Sequence, residues 1–534
     1  MGPRRHLVVA ALATLSLAVG LGVAGSHPVT ARTVVPYSPG PDSAALDLSQ
    51  VPEADAVPRV EPAKAGSRPN VIVILTDDQR VGTVAGMPFT ASYLRDRGVE
   101  FTNAHSPTST CCPARSTLLT GNHAPTTGVW TNWQPYGGWA AFHHLEQSTL
   151  ALSLQESGYR TGLVGKYLNG YADPKAREAA TGDADYIPPG WDEWHTFGVP
   201  VSVTDPEVIR LSDQGYYDYW LMSRGDRDTE PKYSYYGGKP RDYSTDVLGA
   251  EAVDVIESTP ADQPLFLLYT PYGPHAPSTP APRHARAKVD VAEVPGFANA
   301  EGKPPWITAG PTVRPGEGRS LERRNMRALL SVDDNVRAIL DALEREGRLR
   351  NSLVIFASDN GLAWGEFNLI ETKNYPYTTP IPLVMRWDAA PSGSPLAGGG
   401  RSDDRIVSLA DVTATIASVT GTDMPGIEDG LDLSTRAEER KELLIAAWRN
   451  RGSRNPLPAY CGIRTDRWLY VHYRGGIEEG YDLVRDPHLL RNLFPSFDAD
   501  DGLMKPDVVS RLRAQTRELC DPAPPGFSWD SEGG

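Results

Sequence analysis

Four runs of consecutive apolar residues punctuate the chain: Val71-Ile72-Val73-Ile74-Leu75, Gly162-Leu163-Val164, Leu265-Phe266-Leu267-Leu268-Tyr269 and Leu353-Val354-Ile355-Phe356-Ala357. Runs without polar residues at alternate positions predict strands buried on both faces. Between them, at 150–157, 245–258 and 321–346, the apolar spacing becomes helical. Alternating strands and helices predict an α/β fold, with a large, mostly parallel central sheet flanked by helices. After residue 440 the pattern shifts to short strand-like runs near 443–448, 462–464 and 468–473, then a helical stretch at 508–519. These predict a smaller C-terminal α+β subdomain over 441–534, following a main domain over 70–440.

Residues 171–243 follow neither pattern. They are polar and crowded with rings, among them Trp191, Trp194, Tyr216, Tyr219, Trp220, Tyr233 and Tyr235. Two readings stand level. One is a lid or wall whose rings stack on a sugar or aryl group, the other an elaborated loop with its own aromatic cluster. Residues 1–31 read as a signal peptide, with Arg4 and Arg5 ahead of an apolar run at 7–23 and small residues up to Ala24 and Ala31. The competing reading of this run is a membrane anchor. Proline-rich residues 32–69 read as a linker. No other stretch is long and apolar enough to span a bilayer. The expectation is a secreted or cell-surface protein with no stable membrane span after signal removal.

At 534 residues and 40% hydrophobic, the chain can bury a sizeable core. Its formal net charge of -15 argues against nucleic acid as a partner. An exported chain can form disulfides, and there are four cysteines. A bond between adjacent Cys111 and Cys112 would close a strained small ring. Cys461 with Cys520 is the reasonable pair, for which the loop-entropy estimate is about 4 kcal/mol.

The chemistry gathers just after the apolar runs. The first is followed by Asp77-Asp78, the second by Lys166, the third by Pro274-His275-Ala276-Pro277 and the fourth by Asp359-Asn360-Gly361. In an open parallel sheet the carboxyl ends of the strands share one edge, where ligands bind. Asp77, Asp78, Asp359 and Asn360 form an oxygen-only set that suits calcium, or less well magnesium, rather than zinc. The stretch CCPARSTLLTG adds a short helix expected over 113–120, with Pro113 in its first turn and Gly121 at its end. Cys111 then precedes the helix N-terminus, where anions are favoured. Arg115 lies one turn in, within reach of Cys111, and Cys112 is expected to turn into the core.

Cys111-Cys112-Pro113-Ala114-Arg115, followed by Leu119-Thr120-Gly121, resembles the sulfatase signature. The resemblance extends to Asp77-Asp78, Gly165-Lys166-Tyr167-Leu168-Asn169, the His275 segment, Asp359-Asn360-Gly361, Lys373 and Gly480-Tyr481-Asp482-Leu483. It implies an alkaline-phosphatase-like fold and hydrolysis of sulfate esters, on an aryl sulfate, another small sulfated substrate or a sulfated glycan. It implies that a formylglycine-generating enzyme oxidises Cys111 to Cα-formylglycine, whose hydrate attacks sulfur. It also implies calcium on Asp77, Asp78, Asp359, Asn360 and residue 111. Arg115, Lys166 and Lys373 would neutralise the sulfuryl group, and His275 would serve the leaving group. The Gly-Lys-Tyr-Leu-Asn run resembles the glucosamine-6-sulfatase branch. Three positions depart from the wider pattern: Leu168 and Phe367, where relatives often carry histidine, and the vicinity of Tyr377 and Thr378, where they often carry glutamate. The alternatives are a phosphate mono- or diester hydrolase of the same superfamily and a secreted, non-catalytic carbohydrate-binding protein.

Overall fold

The structure is a computed structural model that describes residues 68–213, 215–449, 457–494 and 504–529. The expected signal peptide, and the linker up to residue 67, lie outside the described residues. Ten strands make the central sheet: β1 (Asn70–Thr76), β2 (Val99–Phe101), β3 (Arg160–Gly165), β4 (Glu193–Phe197), β5 (Tyr219–Arg224), β6 (Lys232–Tyr236), β7 (Leu265–Thr270), β8 (Ser352–Ser358), β9 (Leu383–Arg386) and β10 (Arg401–Asp403). Their spatial order is β10-β2-β9-β8-β1-β7-β3-β4-β5-β6. The four apolar runs become β1, β3, β7 and β8, which lie side by side with every residue buried.

The parallel expectation holds for the middle of the sheet. Strands β8, β1, β7, β3 and β4 are mutually parallel, whereas β9 runs antiparallel to β8 and to β2, and β5 to β4 and to β6. Part of the antiparallel flank comes from the ring-rich segment. Its residues include β4, β5 and β6, and Trp191, Trp194, Tyr216 and Tyr219 are buried. The Trp194 ring packs edge-on at 5.1 Å from Tyr167 and 5.4 Å from Tyr171. Most of this segment's bulk is therefore structural cluster rather than lid. Aromatic and β-branched residues suit strands even where alternation is poor.

Helices cover both faces. Six matter here: α1 (Cys111–Thr120), α2 (Leu150–Glu156), α3 (Ser244–Ser258), α4 (Pro315–Arg345), α5 (Leu409–Thr420) and α6 (Pro506–Leu519). α4 begins six residues before the apolar periodicity does, because Pro315 suits the first helical position. Its buried stripe of Leu329, Val332, Val336, Ile339 and Leu343 lies against the sheet and α3. Gly249 of α3 is needed there, since a Cβ would lie 1.7 Å from Asn335 Oδ1. Among the described residues, no helix is long and apolar enough to cross a membrane.

The C-terminal part is a four-stranded antiparallel sheet of β11 (Glu442–Ala447), β12 (Tyr460–Thr465), β13 (Trp468–Tyr473) and β14 (Glu478–Asp482), with α6 beside β12. Its inner residues Ile445, Tyr460, Val471 and Tyr481 share one apolar cluster with Phe367, Leu369 and Tyr375 of the larger unit. Cys461 and Cys520 form a disulfide with Cα atoms 6.1 Å apart, tying β12 to the end of α6.

Candidate active site

Strand register assembles the site. β1 and β8 pair with Thr76 opposite Ser358, so the next residues, Asp77 and Asp359, emerge side by side. β3 and β7 pair with Gly165 opposite Thr270, which delivers Lys166 and the chain leading to His275 to the same edge. Gly165 has φ 123°, and a Cβ there would lie 2.1 Å from the Thr270 carbonyl oxygen. Only glycine lets the chain turn Lys166 inward at this point.

The signature helix starts earlier than expected. α1 runs from Cys111, with Thr110 as its cap, so Cys111 is the first helical residue instead of preceding the helix. Pro113 still falls in the first turn, where a missing N–H costs nothing. Gly121, at φ 74°, closes the helix with its N–H donating to the Thr117 carbonyl. Cys112 does turn into the packing. Its N–H donates to Asn132 Oδ1 at 2.8 Å, and its sulfur lies 3.3 Å from Asn169 Oδ1.

Every candidate residue reaches one buried cluster. Cys111 Sγ is 3.4 Å from Asp77 Oδ1 and 2.9 Å from Lys373 Nζ. Lys373 also donates to Asp78 Oδ1 at 2.7 Å, and Lys166 pairs with Asp77 Oδ2. Arg115 does not turn back toward Cys111. Its Nε donates to Asp359 Oδ2 at 2.9 Å, its Nη2 lies 3.4 Å from Asp77 Oδ2, and its Nη1 donates to the Lys166 carbonyl at 2.7 Å. This arrangement uses the guanidinium's fork across three strand ends, which a lysine's single head could not do. His275 Nε2 faces Asp78 Oδ2 at 3.5 Å.

Three buried carboxylates thus face two buried cations, Arg115 and Lys166, and one partly exposed cation, Lys373. Burial works to raise Asp77, but Lys166, His275, Arg115 and Lys373 outweigh it and hold the carboxyl far below its usual range. Burial, seconded by Asp77, pushes Asp359 up. The Cys111 thiol is raised strongly by burial and then by Asp77, so an unmodified Cys111 is a poor nucleophile here. Burial, reinforced by Lys373, lowers His275 and favours a neutral ring. Its Nδ1 lies 2.7 Å from the Tyr272 hydroxyl and 2.9 Å from the Ala276 carbonyl oxygen. The Tyr272 O–H donates to the same Ala276 carbonyl at 2.8 Å, and a carbonyl oxygen only accepts, so the neutral ring carries its proton on Nδ1 and turns the Nε2 lone pair toward the cluster.

Ligating atoms of Asp77, Asp78, Cys111 and His275 lie within 4.8 Å of one another. Asp359 and Asn360 stand beside them. Asp359 Oδ1 accepts the Asp78 N–H at 3.2 Å, and Asn360 Nδ2 donates to Asp78 Oδ1 at 2.6 Å. Asn360 Oδ1 is buried without a hydrogen-bond partner. An orphaned acceptor among carboxylates fits a hard cation. Asp78 itself sits at φ 62°, a left-handed conformation found at sites where surrounding contacts over-determine the backbone. Sequence reasoning did not single out Tyr272, nor the Thr110 hydroxyl that bonds Asn374 beside Lys373. Tyr272 precedes the His275 segment by a few residues, which was the only available hint.

The family model for Sulfatase matches residues 69–422, so the chain belongs to the Sulfatase family. It is 31% identical over 431 residues to a Caenorhabditis elegans protein named as an extracellular sulfatase Sulf-1 homologue, covering 76% of this chain and 55% of that one. It is 29% identical to human N-acetylglucosamine-6-sulfatase over 68% of this chain and 64% of the relative. The chain thus spans between about half and two thirds of the length of these relatives. A solved structure in complex with its substrate D-glucosamine-2-N,6-O-disulfate superposes with TM-score 0.67 at 19% identity, over 86% of this chain and 99% of that one. That likeness concerns the fold.

Proposed function

We propose that this protein is an exported sulfatase that hydrolyses sulfate esters, with a sulfated sugar as the favoured substrate class. The observation that carries this reading is the convergence of Arg115, Lys166, Lys373 and His275 on Cys111 and the three carboxylates beside it, at the carboxyl edge of the parallel strands. The sugar preference is supported by the glucosamine-sulfate relatives. Export is supported by the extracellular relatives and the disulfide.

Lys373 Nζ, 2.9 Å from the residue-111 side chain, is placed to hold an oxygen of the transferring sulfuryl group. Lys166 supplies a second positive charge from the opposite side of Asp77. Arg115 fixes Asp77 and Asp359 at their separation and adds charge beneath them. His275 presents Nε2 toward the cluster, where the ring, once protonated, can donate a hydrogen bond or a proton to the leaving oxygen. Arg115 and Lys166 are buried, and Lys373 and His275 are only partly exposed, so the cluster is shielded from bulk water and its interactions are strengthened. Asp77, Asp78, Asp359 and Asn360 would hold a calcium ion, which supplies Lewis acidity and orientation to the bound sulfate. Formylglycine at position 111, formed by a maturation enzyme, would supply a hydrated aldehyde whose second hydroxyl permits sulfate release.

A phosphate ester hydrolase has similar needs, so the discriminating experiment is a substrate panel. Free sulfate should be released from an aryl sulfate and from glucosamine 6-sulfate faster than phosphate is released from the matching aryl phosphate. Faster phosphate release would overturn the assignment. Carbohydrate binding without any turnover would favour the non-catalytic alternative.

A further inference from the structure

The segment that delivers Lys373 is the least regular part of the site. Between Phe367 and Asn374, four non-glycine residues are left-handed: Phe367 at φ 52°, Asn368 at 64°, Glu371 at 52° and Asn374 at 74°. Such a backbone costs on the order of 1–3 kcal/mol per residue and persists only where its surroundings fix it. One end is fixed from the site itself, since the Asn374 N–H donates to the Ser109 carbonyl at 2.8 Å and its side chain bonds Thr110.

The rest of the fixing comes from a different part of the molecule. Phe367 and Tyr377, on either side of Lys373, bring their rings to 4.8 Å from each other. Both rings face the ammonium of Lys303, whose Nζ lies 3.8 Å from the Phe367 centroid and 4.5 Å from that of Tyr377. Tyr481 of β14 makes the third wall at 4.4 Å and accepts a hydrogen bond from Lys303 at 2.7 Å. Behind the cage lies Glu479, also on β14 and fully buried. Its carboxylate accepts hydrogen bonds from the hydroxyls of Tyr377, Tyr473 and Tyr481. A buried lysine and a buried glutamate are each expensive unless fully partnered. Here the partners are the two flanks of the Lys373 loop and the C-terminal sheet.

We propose that Lys303 and Glu479 are positioning residues: they lock both flanks of loop 367–377 onto β14 and so set the place of the Lys373 ammonium at Cys111. The inference rests on the proposed role of Lys373 in holding the sulfuryl group. It gives the C-terminal sheet a part in the site, although that sheet contributes no residue to the cluster of titratable groups around Cys111. A plain inter-domain staple would use the same contacts, so the test must separate the two.

The test is a double-mutant cycle on the full mature chain with a saturating aryl sulfate. Glu479→Gln keeps the size and removes the charge that the three hydroxyls share. Alone it should lower kcat by about 10- to 100-fold, the scale expected for a misplaced catalytic group. In a Lys373→Met background the same change should cost less than about twofold, because the group it positions is gone. An equal loss in both backgrounds would mean a staple and would overturn the proposal. Tyr377→Phe and Lys303→Met are parallel arms if Glu479→Gln fails to fold. A second readout is independent of activity. Hydrogen exchange in Glu479→Gln should speed up across 367–377 and stay unchanged across 70–78, and unchanged exchange at 367–377 would also overturn the proposal. If wild type releases no sulfate, the proposed function falls, while the exchange measurement still decides whether Glu479 holds the loop.

Discussion

Lys166 and Lys373 bring the same charge to the same cluster by opposite means. Lys166 is the first residue after β3. Its N–H donates to the Thr270 carbonyl at 2.9 Å, and its own carbonyl accepts from Arg115 at 2.7 Å and from the Thr270 hydroxyl at 2.8 Å. Strand register, with one anchor from Arg115 of α1, fixes where it stands. Lys373 comes from a loop with left-handed residues, held by rings and charges from Lys303 and β14. One half of the site is inherited from the sheet, and the other depends on contacts between segments far apart in sequence. The sheet-borne half should therefore tolerate distant substitutions, and the loop-borne half should feel them.

The largest expected effects test whether the two lysines are equal in function. Lys166→Met and Lys373→Met each keep most of the stem and remove the charge. Each should depress turnover of a saturating aryl sulfate by ~10²–10³-fold, as for other oriented electrostatic groups. Near-normal turnover in either variant would remove that lysine from the site.

Next in size comes a stability effect on the sheet-borne half. Arg115 is buried and pairs with Asp359 and Asp77. Asp359→Ala leaves that guanidinium with Asp77 as its one carboxylate partner and should cost at most about 3–5 kcal/mol, the range for removing one partner of a buried pair. Asp359→Asn keeps the shape and should lose less stability while still losing most activity. Urea unfolding beside sulfate-release assays would separate the two, and equal stability losses would contradict the pairing. A smaller effect is expected at Cys112, whose sulfur packs against Asn169 away from the cluster. Cys112→Ser should retain substantial turnover with at most a modest stability loss.

The smallest effect sharpens the loop-borne half. Burial lowers Lys303 to about 8, against the opposing pull of Glu479 and Asp486. The unfolded chain keeps this lysine protonated to about pH 10.4. Between pH 8 and about 10 the unfolded state therefore binds more protons at this site, and stability from it rises with pH. Above about 10 the unfolded chain's tyrosines ionise while those around Lys303, Tyr377 and Tyr481, stay raised by burial, which reverses the trend. Thermal unfolding of wild type against Lys303→Met should show a relative gain for wild type across pH 8–10. A flat difference would mean the ammonium is not constrained as described.

The same contrast marks what was legible in the sequence. The four apolar runs became four adjacent central strands, and the residues that follow them met at one edge. Buried strands leave an unbroken hydrophobic signal, and topology does the rest. The antiparallel flank was not legible, because β5 and β6 lie in a ring-rich, polar stretch and β2, β9 and β10 are four residues or shorter. Lys373 was found by family resemblance and not by pattern, since no periodicity precedes it. The departures at Phe367 and Tyr377 looked unrelated along the chain. In space they are the two rings that share Lys303. Nothing in spacing could have paired them with Lys303 or Glu479, because that contact is made only after the C-terminal sheet docks.

In the proposed reaction Cys111, and not its neighbour, carries the chemistry. Its register places Pro113 and Arg115 correctly, its side chain faces Asp77 and Lys373, and Cys112 faces Asn169. The most direct measurement is the mass of the active enzyme's peptide spanning residues 111 and 112. Residue 111 should have lost its sulfur and become formylglycine while residue 112 remains a thiol. An intact thiol at 111 in fully active protein, or the aldehyde at 112, would contradict that assignment.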